Sequence, residues 1–191
     1  MIGKLLAVVL ILAPCSALAA LTPEQFVRQA TERVTAGKMS DMVADMHPDE
    51  LARFRTMFAP LFLETDKEVR EAMMVGFLGR TMTAEEFNRI DGATLMRATL
   101  DKMQTTWDHQ GIKVKIHNSQ VLGHVMENDI AHVVTRSFVS ANDIEVKAME
   151  IISLRPYQDG WKMMLSADME GIGKSIVQAI AARKLADQLV E

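Results

Sequence analysis

The stretch KMSDMVADMHPDEL, Lys38 to Leu51, sets Met39, Met42 and Met46 beside His47. Thioethers and an imidazole are ligands for Cu(I), so an exported chain could hold copper with this grouping. The spacing favours a different use. With Val43 the three methionines fall at i, i+3, i+4 and i+7, the stripe that a short helix buries. Met73, Met74, Met163 and Met164 show methionine serving as flexible filler elsewhere in the chain. The stretch therefore reads as a packing face, His47 ahead of Pro48 marks a helix start, and no metal is assigned.

The other histidines lie further on. His124 and His132 flank the turn MEND with Glu127 between them, but a zinc site wants four ligands and two imidazoles do not supply them. His117 shares a strand face with Lys113 and Lys115 and reads as solvated. His132 and Arg136 form the most interesting pair, because they share a face with Ile130, Val134 and Phe138. If that face lines an interior, His132 could act as general base and Arg136 could hold a carboxylate or enolate oxygen. Phe138 and Trp107 would then be apolar walls for a small ligand. The opposite face, with Ala131, Val133, Thr135 and Val139, is equally able to be the buried one, so the parity of this strand stays open.

No nucleophile elbow, phosphate loop, HExxH or paired Ser and His motif is present. Gly171-Ile172-Gly173-Lys174-Ser175 lacks the spacing of a phosphate loop and reads as a helix start. No cofactor is implied.

The chain opens with MIGKLLAVVLILAPCSALA: one lysine, an apolar run, Pro14, and a small-residue box at Ala17–Ala19. This is the pattern of a secretory signal peptide over residues 1–19, cleaved after Ala19, and it predicts a periplasmic or secreted protein. Leu12-Ala13-Pro14-Cys15 is the rival, a lipoprotein box into which proline fits poorly. Cys15 is the only cysteine, so the mature chain would have no thiol for disulfide, metal or nucleophile. No segment has the run of about 20 apolar residues that a membrane span requires. Without Lys4, 20 basic residues face 25 acidic ones, and no basic block exists that would track a nucleic acid.

These residues must be placed by one domain, residues 20–191, whose periodicity changes at Gly111. Residues 20–110 carry helical spacing. Thr22, Pro23 and Gln25 make a capped start that closes at Gly37; Ser40 can cap a second helix; Pro48 with Asp49 and Glu50 opens a third, faced by Leu51, Phe54, Phe58, Leu61 and Phe62. Pro60 should bend or end it. A box at Thr83 and Glu86 opens a short helix, and Met96, Leu100, Met103 and Trp107 stripe a longer one. Residues 111–168 alternate with period two in four runs separated by MEND, SAND and PYQDG, which predicts an antiparallel meander. A phase change at Ala148 to Glu150 predicts a bulge in the third strand. Residues 170–190 form a last helix, with Ile172, Ile176, Ile180 and Leu185 on its apolar side.

A first helix ending in TAGKMSDMVADMHPDE, a later helix leading into the sheet, and a last strand announced by DGWKMML resemble the nuclear transport factor 2-like (SnoaL-like or ketosteroid-isomerase-like) superfamily, of which this chain would be an exported bacterial member. The resemblance implies an α+β fold: N-terminal helices packed on a strongly curved, cone-like four-stranded antiparallel sheet with an apolar cavity. Two features depart from it, the helical stretch from Leu51 to Ile90 and the extra C-terminal helix. Catalytic members place tyrosine at the cavity, whereas Tyr157 sits in the turn RPYQDG. The expectation is a non-enzymatic binding or assembly domain with a cavity for a small apolar ligand, or a surface for a second copy or an envelope protein. The alternative is a small lyase, isomerase or hydrolase using His132 and Arg136.

Overall fold

The structure, a computed structural model, describes residues 21–63, 66–142 and 144–188. The expected leader, its cleavage point and Cys15 lie outside the described residues. Helices α1 Pro23–Ala36, α2 Pro48–Met57, α3 Pro60–Leu63, α4 Lys67–Leu78, α5 Ala84–Arg89 and α6 Gly92–His109 precede strands β1 Val114–Glu127, β2 Ile130–Ala141, β3 Ile144–Tyr157 and β4 Gly160–Met163, and α7 Ala167–Gln188 follows.

Local chemistry sets most helix starts. The Thr22 hydroxyl accepts from the Gln25 N–H while the Gln25 amide oxygen accepts from the Thr22 N–H, and Thr83 and Glu86 exchange the same two bonds. Met39–Asp45 forms a 3-10 helix rather than the expected α-helix capped by Ser40. The carboxylate of Asp41 caps it by accepting from the Lys38 N–H at 2.8 Å, and Ser40 is buried instead. The segment ends where Met46 bridges to Met163 of β4. Proline acts as expected: α2 stops at Met57 and Pro60 begins α3.

The core joins both halves of the chain. Phe54, Phe58, Leu61, Leu95, Met96, Leu100 and Ile176 are fully buried with Val133 and Leu154 from the sheet. Each such side chain contributes about 2 kcal/mol by leaving water. Val43 and Met46 belong to this core, and Met39 and Met42 pack against it. On α7, among the described residues, Ile176 and Ile180 are buried, whereas Leu185, expected on the apolar side, is exposed.

The sheet corrects the sequence expectation. The strands form an open meander in the order β1-β2-β3-β4, with helices packed on it, and it neither closes nor curls strongly around them. The strongly curved, cone-like form and the ligand-binding cavity implied by the resemblance to the nuclear transport factor 2-like superfamily are therefore withdrawn. Two causes are visible. The expected bulge at Ala148–Glu150 does not form, since β2 and β3 pair without interruption from Ala131↔Leu154 to Ala141↔Ile144. The irregularities fall in β1 instead, between Ile116 and Asn118 and between Val121 and Gly123, where Gly123 takes φ +148°. In addition β4 is only four residues long, so it extends the sheet at one end only. No helix among the described residues is long and apolar enough to cross a membrane.

Candidate functional site

The parity of β2 is settled by burial. Ala131, Val133, Thr135 and Ser137 point into the molecule. Thr135 and Ser137 spend their hydroxyls inside the sheet, on the carbonyl oxygen of Glu150 and on Ser119. His132, Val134, Arg136 and Phe138 consequently occupy the outer face, away from the helices.

On that face the His132 ring is held at both nitrogens. Nδ1 lies 2.9 Å from Ser153 Oγ on β3, and Nε2 lies 3.1 Å from Glu127 Oε2 at the end of β1. Arg136 is four residues along the same strand, about 13 Å away at the rise of extended chain, so the two do not converge on one small substrate. The Phe138 ring carries Lys147 Nζ at 5.2 Å. Trp107 is elsewhere: it sits near the end of α6 and lines an open groove of about 400 Å³ with Val34, Met39, Ile112 and Val114. The structure thus groups His132, Arg136 and Phe138 on one face and separates Trp107 from them.

The histidines flanking the first turn also part. His124 is paired opposite Val133 and so shares the inner face, where its Nδ1 bonds Glu24 of α1. That bond holds the Glu24 carboxyl below the ordinary glutamate value. Among the described residues no three His, Cys, Asp or Glu side chains gather as metal ligands would.

A cluster that the sequence did not announce lies between α2 and the sheet. Glu50 is almost fully buried, with Arg53 Nη1 at 3.3 Å, Arg155 Nη2 at 3.8 Å and the Leu165 N–H at 3.4 Å from its oxygens. Arg53 also bonds Glu170 of α7 at 2.6 Å, and Arg155 lies 3.7 Å from Asp49. His47 borders the cluster: its N–H donates to the Met163 carbonyl, its Nδ1 accepts from the Asp49 N–H, and its ring meets Tyr157 edge-on at 5.3 Å. The network ties three layers together. The sequence signal was the placing of Glu50 four residues before Phe54 and eight before Phe58, on the stripe that α2 buries.

The most exposed apolar surface is on β3. β4 pairs with it only from Leu154 to Tyr157 and the Met164 N–H donates to the Ser153 carbonyl, so from Ile144 to Ile152 the strand has β2 on one side and, among the described residues, no strand on the other. Ile144, Val146, Met149 and Ile151 are 69%, 51%, 63% and 65% exposed. Ile144 and Val146 face the helix side and Met149 and Ile151 the outer side, so this half-strand is bare on both faces as well as along its edge. No protein-family model matches the chain and no curated protein does, so the bare half of β3 and the outer face beside it carry the functional conclusion.

Proposed function

We propose that the protein is an exported, non-enzymatic assembly module, acting in the periplasm or outside the cell, that takes an extended protein segment along the edge of β3. The free edge supports this reading most directly. Main-chain N–H and C=O groups left unpaired along an extended strand are a template for another strand, and they give affinity while alternate side chains give selectivity. The exposed Ile144, Val146, Met149 and Ile151 favour apolar positions in the partner, and Glu145 and Lys147 favour opposite charges at its paired positions. The N-terminal signal pattern supports export.

Amide exchange over residues 144–152 tests it. The expected result is protection of these amides when the protein is returned to an envelope extract of the producing cells or concentrated. Exchange at the unprotected rate of a free edge under both conditions would overturn it.

One observation favours a second reading, proton transfer at His132 in a small hydrolase, lyase or isomerase: the continuous chain of hydrogen bonds Ser153–His132–Glu127. A fluorophosphonate probe that labels Ser153, and fails to do so in His132→Ala, would support it; no labelling of Ser153 would dismiss the hydrolase form.

A further inference from the structure

We infer that the strand added to β3 is β3 of a second copy of this chain, related by a two-fold axis through Val146, so that two four-stranded sheets become one of eight strands. This rests on the docking reading above and names its partner.

The register follows from charge. Two identical strands paired antiparallel about an axis normal to the sheet keep their faces, so one residue sits on the axis opposite its own copy and its neighbours pair symmetrically around it. With Lys147 on the axis, two lysines oppose each other; with Glu145 on the axis, two glutamates do. With Ala148 there, Glu145 faces Ile151 and Lys147 faces Met149, and neither charge is answered. With Val146 on the axis, Glu145 of each copy faces Lys147 of the other, Ile144 faces Ala148, and Val146 faces itself. Only this arrangement pairs both charges and covers the exposed apolar residues of the helix-side face.

Neither Glu145 nor Lys147 is spent in an ion pair among the described residues; Lys147 rests over Phe138. Charges on an edge strand ordinarily repel a second strand. The run Glu145-Val146-Lys147 is complementary to its own reverse, so here the same charges reject the neighbouring registers and admit one. The ladder is short and the interface small, on the order of 1,000 Å² in total, which predicts a dimer that depends on concentration.

Sedimentation equilibrium of the full chain over a concentration series tests the inference, with circular dichroism confirming that each variant folds. The expected results are a monomer–dimer equilibrium, dissociation about tenfold easier or more in Glu145→Lys, and recovery when Glu145→Lys is combined with Lys147→Glu. A monomer throughout the series, an unaffected single variant, or an unrescued double variant would overturn it. Protected β3 amides in envelope extract with a monomeric mass would overturn self-pairing and leave the extended-partner reading standing. Unprotected amides with a monomeric mass would remove both.

Discussion

Glu50 on α2 and Arg155 on β3 meet at 3.8 Å across the boundary between the helices and the sheet, and Glu50 is 4% exposed there. Burying a carboxylate costs free energy that neighbouring cations must offset. Arg155→Met leaves Arg53, itself half-exposed, as the remaining guanidinium, and an expected loss of about 3 kcal/mol. Replacing both partners, Glu50→Leu with Arg155→Met, should recover much of that loss, since a packed apolar pair avoids the unanswered charge. Urea titration of the single and double variants measures both values.

Gly92 begins α6 against α2, where an added Cβ would stand 1.9 Å from the carbonyl oxygen of Leu51. Backbone cannot yield as a side-chain tip does, so Gly92→Ala should cost about 3 kcal/mol. Gly76, inside α4, has nothing within 4 Å of the same atom, and Gly76→Ala should stabilise by about 0.8 kcal/mol through helix propensity. Thermal melts of the two variants should move in opposite directions.

Asp91 caps α6 by accepting from the Thr94 N–H at 2.6 Å, and this bond holds its carboxyl below the ordinary value of 3.8. A folded value below the unfolded one means that the contribution is complete above pH 3.8 and is lost as the pH falls through the depressed value. Asp91→Ala should cost about 1 kcal/mol at neutral pH. The gap between wild type and Asp91→Ala should narrow below pH 3.8, as read from urea titrations at several pH values. Glu86 shifts in the same direction through its bond to the Thr83 main chain, so the start of α5 should weaken in parallel.

Asn142 turns β2 into β3 with φ +55°, and its side-chain oxygen accepts from the Lys113 N–H at 2.9 Å. Asn142→Gly keeps the left-handed backbone and loses that bond; Asn142→Ala loses both. An expected cost of about 1 kcal/mol for glycine, and more for alanine, separates the two contributions in urea titrations.

The order of helices and strands was legible because capping pairs and turn residues act locally: Thr22 with Gln25, Thr83 with Glu86, Pro48, and the turns at Asn128, Asn142 and Gln158. The parity of β2 was not, because its buried face includes Thr135 and Ser137 while its outer face includes Val134 and Phe138. Sheet curvature was not either; it depends on where bulges fall, and the phase change at Ala148–Glu150 reflects a strand exposed on both sides rather than an inserted residue. The cluster around Glu50 escaped because Asp49, Glu50 and Arg53 on α2 are distant in sequence from Arg155 and Glu170, and only the folded layers bring the two groups together. That His132 and Arg136 share a strand face was legible from their spacing; that this face is the outer one, where they line no interior, was not.

The two ends of β3 are anchored unequally. Toward Leu154, itself fully buried, the strand is gripped by β4; toward Ile144 its main chain is held, among the described residues, by β2 alone. Thermal fraying should therefore start at the tip near Asn142 and travel toward the anchored end, which makes that tip the first place an endoprotease would find slack backbone.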